Sequence, residues 1–467
     1  MVKNNNRTYD IFLKEIGETL ARIFPAERSI NRSKIRKRQS KQITNGYFDF
    51  LSKVKTPDQV TDLSLKLTRE NDIRTTSKKT DFYHYNKERT NFAVVRYGDR
   101  PLEDGLRILF AHTDSPCLRV KPKPLLLNWD PELRDHYPGV LLDTFHYGGV
   151  PIHQWFGLDV LITGTAVRNG RSRKINLPGF IMDHSIHIDT REFNEEYYSE
   201  AFPADGPDVV TGYPSRQSLI SKLGFESEDD FGRAKIYVVP RSQPLMIPNY
   251  IIGYGHDNRI GVYTALRALF EAEPKHTTVL FCLDREEVGE LSGDSSAGHY
   301  IDDVLYQMIA AKNNIDIKNI TDGMLRTILR KSIAINTDVT VSSGGIDIDK
   351  IDQRNAAKMG YGVVLTVEDG SNNTTNVSQF LVDYFMDLLN KAKITYQVCG
   401  SFQPVDDLAY QETYNNLLLS KGTQTINLGM GIANAHGVLE IACIHDLYWA
   451  VKAYKAFIES TENPPKA

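Results

Sequence analysis

The stretch that decides the fold is residues 258–283, NRIGVYTALRALFEAEPKHTTVLFCL. In its first part, apolar residues recur at helical spacing, which predicts a helix over 258–273. Its second part is a short run of β-branched and apolar residues, which predicts a strand over 277–283. A helix followed by a strand is typical of α/β proteins, because parallel strands need crossover connections. We therefore expect an α/β fold with a mixed, mostly parallel sheet.

The same alternation continues on both sides of this stretch. Further strands are predicted at 91–97, 106–112, 332–337, 361–367 and 395–398. Further helices are predicted at 297–312, 377–391 and 439–458.

Residues 121–248 have a different pattern. They are rich in Pro, Gly, His and aromatic residues, and they contain short strands, such as 159–167, without long helices between them. We expect an inserted, β-rich domain here, which interrupts a main domain made of residues 1–120 and 249–467. Two domains also suit a chain of 467 residues, which is longer than one hydrophobic core usually supports.

Composition excludes several classes of protein. The formal net charge of -4 gives no general electrostatic attraction to nucleic acid or to an anionic membrane. The four cysteines are scattered without metal-binding or disulfide spacing, and no continuous apolar stretch is typical of a secretory signal or a membrane span. We expect a cytoplasmic protein with no membrane partner.

The N-terminal region carries two features. Apolar residues at helical spacing predict an amphipathic helix over 8–24, which would pack on a core or on a partner subunit. Residues 27–41 are rich in Arg and Lys. A solvated helix face or mobile segment explains this charge better than a nucleic-acid site, because no aromatic residues interleave with it.

Polar residues with metal-binding chemistry follow several predicted strands. His112 and Asp114 end one strand, the pair Glu286 and Glu287 ends another, and Asp338 ends a third. The carboxyl ends of strands are where α/β sheets gather functional groups. Of two adjacent glutamates, one can bind a cation while the other shuttles a proton.

Two more candidates lie outside strands. Asp257 precedes the helix over 258–273, where it could cap the helix or bind a metal, and His436 precedes the last long helix. Nitrogen and oxygen ligands without thiolates suit a pair of hydrolytic zinc, cobalt or manganese ions bridged by one carboxylate.

This set of residues resembles the M18 metallopeptidases, the aspartyl aminopeptidase family, within the wider group of two-zinc exopeptidases. The resemblance runs from about Phe82 to Glu459 and is strongest in residues 112–122, HTDSPCLRVKP. Further matches follow in the family's order: Asp257-Asn258, Glu286-Glu287-Val288-Gly289, Asp338-Val339, Cys399-Gly400-Ser401 and His436.

The resemblance implies a role for each of these residues. Asp257 would bridge two divalent ions, most simply zinc, with cobalt or manganese as alternatives. His112 and Asp338 would complete one site, and Glu287 and His436 the other. Glu286 would be the base that activates the bridging water, and Asp114 would orient His112. The resemblance also implies a catalytic domain interrupted by a dimerisation domain, and assembly into tetrahedral dodecamers built from dimers.

Other matches and departures concern the substrate. His184, in Asp183-His184-Ser185-Ile186-His187, resembles a histidine that reaches into a neighbouring subunit's active site, and Lys358 could line the substrate pocket. The family commonly has Gly-Ser-Thr-Ile-Gly-Pro after its late cysteine, where this chain has residues 400–405, GSFQPV. A preference for acidic N-terminal residues therefore does not follow from the resemblance.

The sequence predicts a metal-dependent aminopeptidase that hydrolyses N-terminal residues from peptides. The alternatives are another two-metal hydrolase, such as a carboxypeptidase or deacylase, and a non-catalytic assembly or cargo protein of the same fold. The predicted insertion and the HTDSPCLRVKP run argue against the first alternative, and the complete set of ligands and base argues against the second.

Overall fold

The computed structural model describes residues 34–74, 80–126, 139–168, 171–183, 206–289, 299–343, 352–369, 377–401 and 421–464. Contacts divide the chain into two compact units. The first comprises Met1–Asp114, Pro244–Ala435 and Leu439–Ala467, and the second comprises Ser115–Gln243 and His436–Val438. Among the helices in the described part of the chain, none is both long and apolar enough to cross a membrane.

Strands and helices are numbered along the chain. The strands are β1 (Phe82–Tyr85), β2 (Phe92–Arg96), β3 (Arg107–His112), β4 (Cys117–Leu126), β5 (Leu141–Tyr147), β6 (Asp159–Arg168), β7 (Arg171–Ile181), β8 (Gly206–Val210), β9 (Lys235–Pro240), β10 (Leu245–Ile247), β11 (Tyr250–Gly253), β12 (Thr278–Leu283), β13 (Ile333–Asn336), β14 (Thr340–Val341), β15 (Val363–Asp369), β16 (Tyr396–Ser401), β17 (Gln424–Gly429), β18 (Gly431–Ala433) and β19 (Glu440–Cys443). The helices are α1 (Lys34–Lys53), α2 (Pro57–Glu70), α3 (Arg216–Leu223), α4 (Glu228–Gly232), α5 (His256–Glu271), α6 (His299–Asn313), α7 (Asp322–Leu329), α8 (Gln379–Lys391) and α9 (Ile444–Glu459).

The first unit is built on an eight-stranded sheet in the order β1-β2-β12-β3-β13-β17-β15-β16. Four neighbouring pairs are parallel: β12 with β3, β3 with β13, β13 with β17, and β15 with β16. The other three pairs are antiparallel. The mixed α/β fold predicted from the sequence is therefore confirmed.

Helices cover both faces of this sheet, which is why its inner strands β12, β3 and β13 are buried along their whole length. On β3, Leu109 and Ala111 face a core shared with residues of α1, α2, α5, α8 and α9. Ile108 and Phe110 point the opposite way, into a core shared with α6 and α7. The alternation follows from the two-residue period of a strand.

A second, five-stranded sheet of the first unit has the order β10-β11-β19-β18-β14. Its strand β19 corrects one prediction. The helix expected over 439–458 begins at Ile444, and Glu440–Cys443 instead pairs antiparallel with β11. No glycine or proline separates this strand from α9, so the helical pattern of α9 was extended over it in the prediction. Pairing with β11 stabilises the strand instead.

The second unit contains a closed barrel in the order β4-β5-β8-β7-β6-β9. The long hairpin of β6 and β7 pairs from Asp159 to Arg168 without a register shift. Inward side chains such as Val160, Ile162 and Val238 are fully buried.

Part of the basic N-terminal segment lies in α1. There Lys37, Arg38 and Lys41 are exposed, as a solvated helix face requires, while Arg36 lies over the ring of Trp449 at 5.9 Å. The helix predicted over 8–24 lies outside the described residues.

Candidate functional site

The imidazole of His112 stands at the carboxyl end of β3. Strands β12 and β13 flank β3 and run parallel to it, so all three end at one edge of the sheet. Glu286 and Glu287 follow β12 in a single 3-10 turn, and Asp338 follows β13. The strand order therefore brings one imidazole and three carboxylates to the same edge.

Nε2 of His112 lies at the centre of a cluster of carboxylates. It is 3.0 Å from Oδ1 of Asp257 and 3.4 Å from Oδ1 of Asp338. Oε2 of Glu286 is 4.0 Å away. Among the described residues, two sets of donor atoms could each hold a metal ion: His112, Glu286 and Asp338, and His112, Asp257 and Glu287.

The chemistry of these donors fits divalent metal ions. In each set the donor atoms lie within 4.8 Å of one another. Imidazole nitrogen and carboxylate oxygen, with no cysteine in either set, are ligands that zinc, cobalt and manganese accept. Carboxylates buried this close together repel one another unless cations compensate their charge.

The cluster shifts the pKa values of its own members. Burial lowers the pKa of His112, but the charge of Asp338 and hydrogen bonds to three carboxylates outweigh burial, and the pKa lies well above its ordinary value. Burial raises the pKa of Glu286 to about 8; the neighbouring carboxylates add to this rise and His112 opposes it. Burial also raises the pKa of Asp338, again against the charge of His112. Without metal, the cluster therefore holds protons near neutral pH.

Asp114 connects the ends of β3 and β12. Its carboxylate accepts the main-chain N–H of Glu286 at 3.3 Å and that of Glu287 at 3.2 Å. Nδ1 of His112 lies 3.1 Å from the main-chain oxygen of Asp114 and 3.4 Å from its Oδ1. One buried side chain thus contacts the imidazole and fixes the backbone of both glutamates.

Asp257 lies in the first turn of α5 without capping it. Its φ of -77° and ψ of 109° are not helical, and Oδ1 of the next residue, Asn258, accepts the N–H of Gly261 at 3.1 Å. Asn258 therefore performs the capping role that was one of two interpretations of Asp257. The Asp257 carboxylate faces His112 instead.

Gly255 allows the chain to enter this turn. Its φ of +76° lies in the left-handed region, and a Cβ there would lie 1.7 Å from Nη1 of Arg259. The buried guanidinium of Arg259 donates to the main-chain oxygens of Tyr254 and Lys55 at 2.7 and 3.0 Å. The backbone before Asp257 is thus packed against a fixed cation.

His256 is held from both sides of its ring. Nε2 lies 3.0 Å from the main-chain oxygen of Ile251 and must carry the hydrogen, because a carbonyl only accepts. Nδ1 therefore accepts from the hydroxyl of Tyr47 at 2.6 Å. Burial lowers the pKa of His256 to about 3, so the ring is neutral and plays a supporting role rather than that of a titrating base.

Two residues of this region were missed from the sequence. Tyr47 on α1 holds His256, and Oε2 of Glu440 on β19 accepts the N–H of Asp257 at 3.1 Å. Neither lies in a short motif, and Glu440 fell inside the helix predicted over 439–458. Contacts between residues far apart in the chain reveal them.

Three further site residues were predicted from the sequence: His436, Lys358 and His184. His436 belongs to the second unit, where Nδ1 lies 3.1 Å from the main-chain oxygen of Gly149. Lys358 is exposed, and the amide of Gln397 binds its main-chain N–H and oxygen, each at 2.9 Å. His184 lies outside the described residues, as does the altered loop from residue 402.

Comparison with known proteins gives a consistent result. A probable M18 family aminopeptidase 1 from Borreliella afzelii is 28% identical over 464 residues, covering 92% of this chain and 98% of that protein. The crystal structure of an M18 aminopeptidase from Thermotoga maritima superposes with a TM-score of 0.80 at 25% identity, covering 92% of this chain and 98% of that one. The dodecamer structure of mApe1 from Saccharomyces cerevisiae shares the fold, with a TM-score of 0.68 at 15% identity and coverage of 89% and 96%.

The family model described as aminopeptidase I zinc metalloprotease (M18) matches residues 50–195 and 217–458. This match covers most of the chain, including both sets of metal-binding donors. The chain therefore belongs to the M18 family of zinc aminopeptidases.

Proposed function

We propose that this zinc aminopeptidase works with two divalent ions, held by His112, Asp257, Glu287, Asp338 and His436, and with Glu286 as its general base. The observation that carries the proposal is the pair of donor sets that share His112. Together the two sets contain His112, Asp257, Glu287 and Asp338, which are four of the five proposed ligands, and also the proposed base Glu286.

Two divalent ions in this position would polarise the scissile carbonyl, make water a stronger nucleophile and, by their charge, keep the surrounding carboxylates ionised. Glu286 would accept a proton from the attacking water and return it to the leaving amine. Asp114 supports this step, because its hydrogen bonds to the main chain of Glu286 and Glu287 keep the two glutamates in fixed relative positions.

The adjacent glutamates provide a matched pair of variants that tests the proposal. Glu286→Gln should retain both ions and lose about 10²–10⁴-fold in turnover, since it removes the base alone. Glu287→Gln should lose one ion. The measurements are metal content by mass spectrometry and release of N-terminal residues from a panel of aminoacyl-nitroanilides and short peptides.

Each result has a distinct meaning. If Glu286→Gln hydrolyses the panel at the parent rate, the proposed base is wrong. If Glu287→Gln keeps two ions, the proposed ligand set is wrong even where Glu286 is the base.

Lys358 is proposed as a substrate-binding residue, since its cation could meet an acidic N-terminal side chain. Gln397 fixes the main chain of Lys358 through two hydrogen bonds, and the exposed side chain of Lys358 is accessible to a substrate. Lys358→Met should then reduce turnover of Asp and Glu substrates while neutral ones are unaffected. Equal loss on all substrates would contradict this role.

We also propose that residues 121–248 act as the inserted dimerisation domain, with His184 contributing to a neighbouring subunit's site, and that the cytoplasmic enzyme is a homo-oligomer. The closed barrel and the shared fold with a dodecameric relative support this. Native mass spectrometry should give the mass of twelve chains, and a monomer that is fully active would contradict the role of His184.

A further inference from the structure

We propose that Glu440 is a positioning residue that holds Asp257, a proposed metal ligand, in place. The inference rests on the proposed function, because it concerns how one ligand of that metal centre is held. It assigns a role to a carboxylate that is not itself in either set of metal-binding donors.

Asp257 needs support from outside its own helix. Its backbone is not helical, and in the first turn of a helix the N–H groups have no acceptor within the helix. A main chain that could rotate here would swing the carboxylate away from His112, whose Nε2 it approaches at 3.0 Å.

Strand pairing places Glu440 where this support is needed. On β19, Glu440 lies opposite Gly253 of β11, and β11 leads through Tyr254 and Gly255 into α5. The Glu440 side chain is 1% exposed, and its Oε2 accepts the N–H of Asp257 at 3.1 Å. A charged acceptor makes such a hydrogen bond stronger than a neutral one.

A second contact acts on the same turn from α1. The hydroxyl of Tyr47 binds His256, the residue directly before Asp257. Glu440 also lies close enough to Tyr47 for its charge to act on the hydroxyl. Tyr47 therefore holds the side chain of His256, and Glu440 holds the main-chain N–H of the residue that follows it, Asp257.

The test measures ion binding rather than turnover. Metal-free full-length protein is titrated with Co²⁺ and Zn²⁺ against a chromophoric chelator, and the visible spectrum of the Co²⁺-loaded protein is recorded. Glu440→Ala should weaken ion binding about 10–100-fold and change the Co²⁺ spectrum. Glu440→Gln keeps an acceptor oxygen and should stay near the parent affinity.

Glu440→Asp separates the hydrogen bond from the charge. It keeps the charge but shortens the reach of the acceptor, so its affinity should fall about 10-fold. Asp302→Asn is the control. Asp302 is a carboxylate of the same unit whose partner is Lys421, at 2.6 and 2.8 Å, and its removal should leave ion affinity unchanged.

Circular dichroism and thermal melting check that each variant is folded. If Glu440→Ala does not fold, the ion affinities of Glu440→Asp and Glu440→Gln test the role of Glu440. If the Ala and Asp variants bind ions as tightly as the parent and show its Co²⁺ spectrum, the role of Glu440 is wrong. The proposed metal centre would not be affected by that result. Two ions bound as tightly by Asp257→Asn as by the parent would overturn the metal centre and this inference together.

Discussion

Asp114 shows how one residue can organise a site without performing its chemistry. It contacts the ring of His112 and accepts two main-chain N–H groups from the glutamate pair. Asp114→Ala should therefore weaken ion binding and turnover about 10–100-fold, because the glutamates and the imidazole lose their common anchor. Ion titration and steady-state kinetics measure the two effects. A lower melting temperature with unchanged ion affinity would mean that Asp114 serves stability alone.

Metal binding should release protons from the site. In the metal-free protein the pKa of Glu286 is about 8, and the pKa values of His112 and Asp338 are raised as well. Raised pKa values favour the protonated forms of these groups, and bound cations would displace those protons, so apparent ion affinity should fall as the pH falls from 8 to 6. Calorimetry in two buffers of different ionisation enthalpy counts the released protons. Affinity independent of pH would contradict the prediction.

The sequence predicted most of the carboxylate and imidazole cluster because most of its members stand at the ends of apolar strands. His112, Glu286 and Asp338 come from three strands that pair side by side, and the parallel order of β12, β3 and β13 brings the ends together. Tyr47 and Glu440 could not be predicted in this way. Their roles depend on which elements meet in space, and the chain separates Tyr47 from His256 by 209 positions.

At the scale of elements, the turn between β11 and α5 is the most constrained part of the site. Gly255→Ala meets two penalties: a φ of +76°, and a Cβ 1.7 Å from the Arg259 guanidinium. Gly212 has a φ of +73° with nothing within 4 Å of its Cβ position. Gly212→Ala should lower the free energy of unfolding by about 1 kcal/mol, because only the backbone conformation is strained. Gly255→Ala should lower it by about 1–3 kcal/mol more, because the new methyl group also overlaps Arg259.

Calorimetric melting of the two alanine variants measures this difference in stability. Ion titration shows whether the substitution also weakens ion binding. Gly255→Ala should also bind ions more weakly, because Asp257 follows two residues later. Equal melting temperatures for the two variants would show that Arg259 moves aside without cost.

Elements with a strong period were predicted to within a few residues, but the short strand β19 was not. The helix predicted over 258–273 is α5, His256–Glu271. β19 has four residues, too few for a two-residue period to outweigh the helical pattern of α9. Its pairing with β11, nearly two hundred positions earlier, decides its conformation.

At the scale of the whole molecule, residues after α9 are hydrogen-bonded to the start of β3, an inner strand of the sheet. The fully buried guanidinium of Arg107 donates to Oγ of Ser460, to Oδ1 of Asn463 and to the main-chain oxygen of Glu462. Deleting residues 460–467 should lower the free energy of unfolding by about 3 kcal/mol, because the buried cation of Arg107 loses its acceptors.

Arg107→Met in the shortened chain is the matching control. It removes the unsatisfied cation, so part of the lost stability should return, and the four proteins form a double-mutant cycle measured by thermal unfolding. Additive losses in that cycle would show that the tail and Arg107 do not act together.

The order of strands in the sheet also has a consequence for synthesis on the ribosome. β3 needs β12 and β13 as neighbours, and these are translated only after the whole of the barrel. The barrel strands, in contrast, all lie between Cys117 and Pro240. During translation, which proceeds at about 5–20 residues per second, the barrel can fold first. For about 10–45 seconds β3 then has neither neighbour, and β2 has β1 alone as a partner. We expect nascent chains that are stopped after the barrel and before β12 to depend on chaperones.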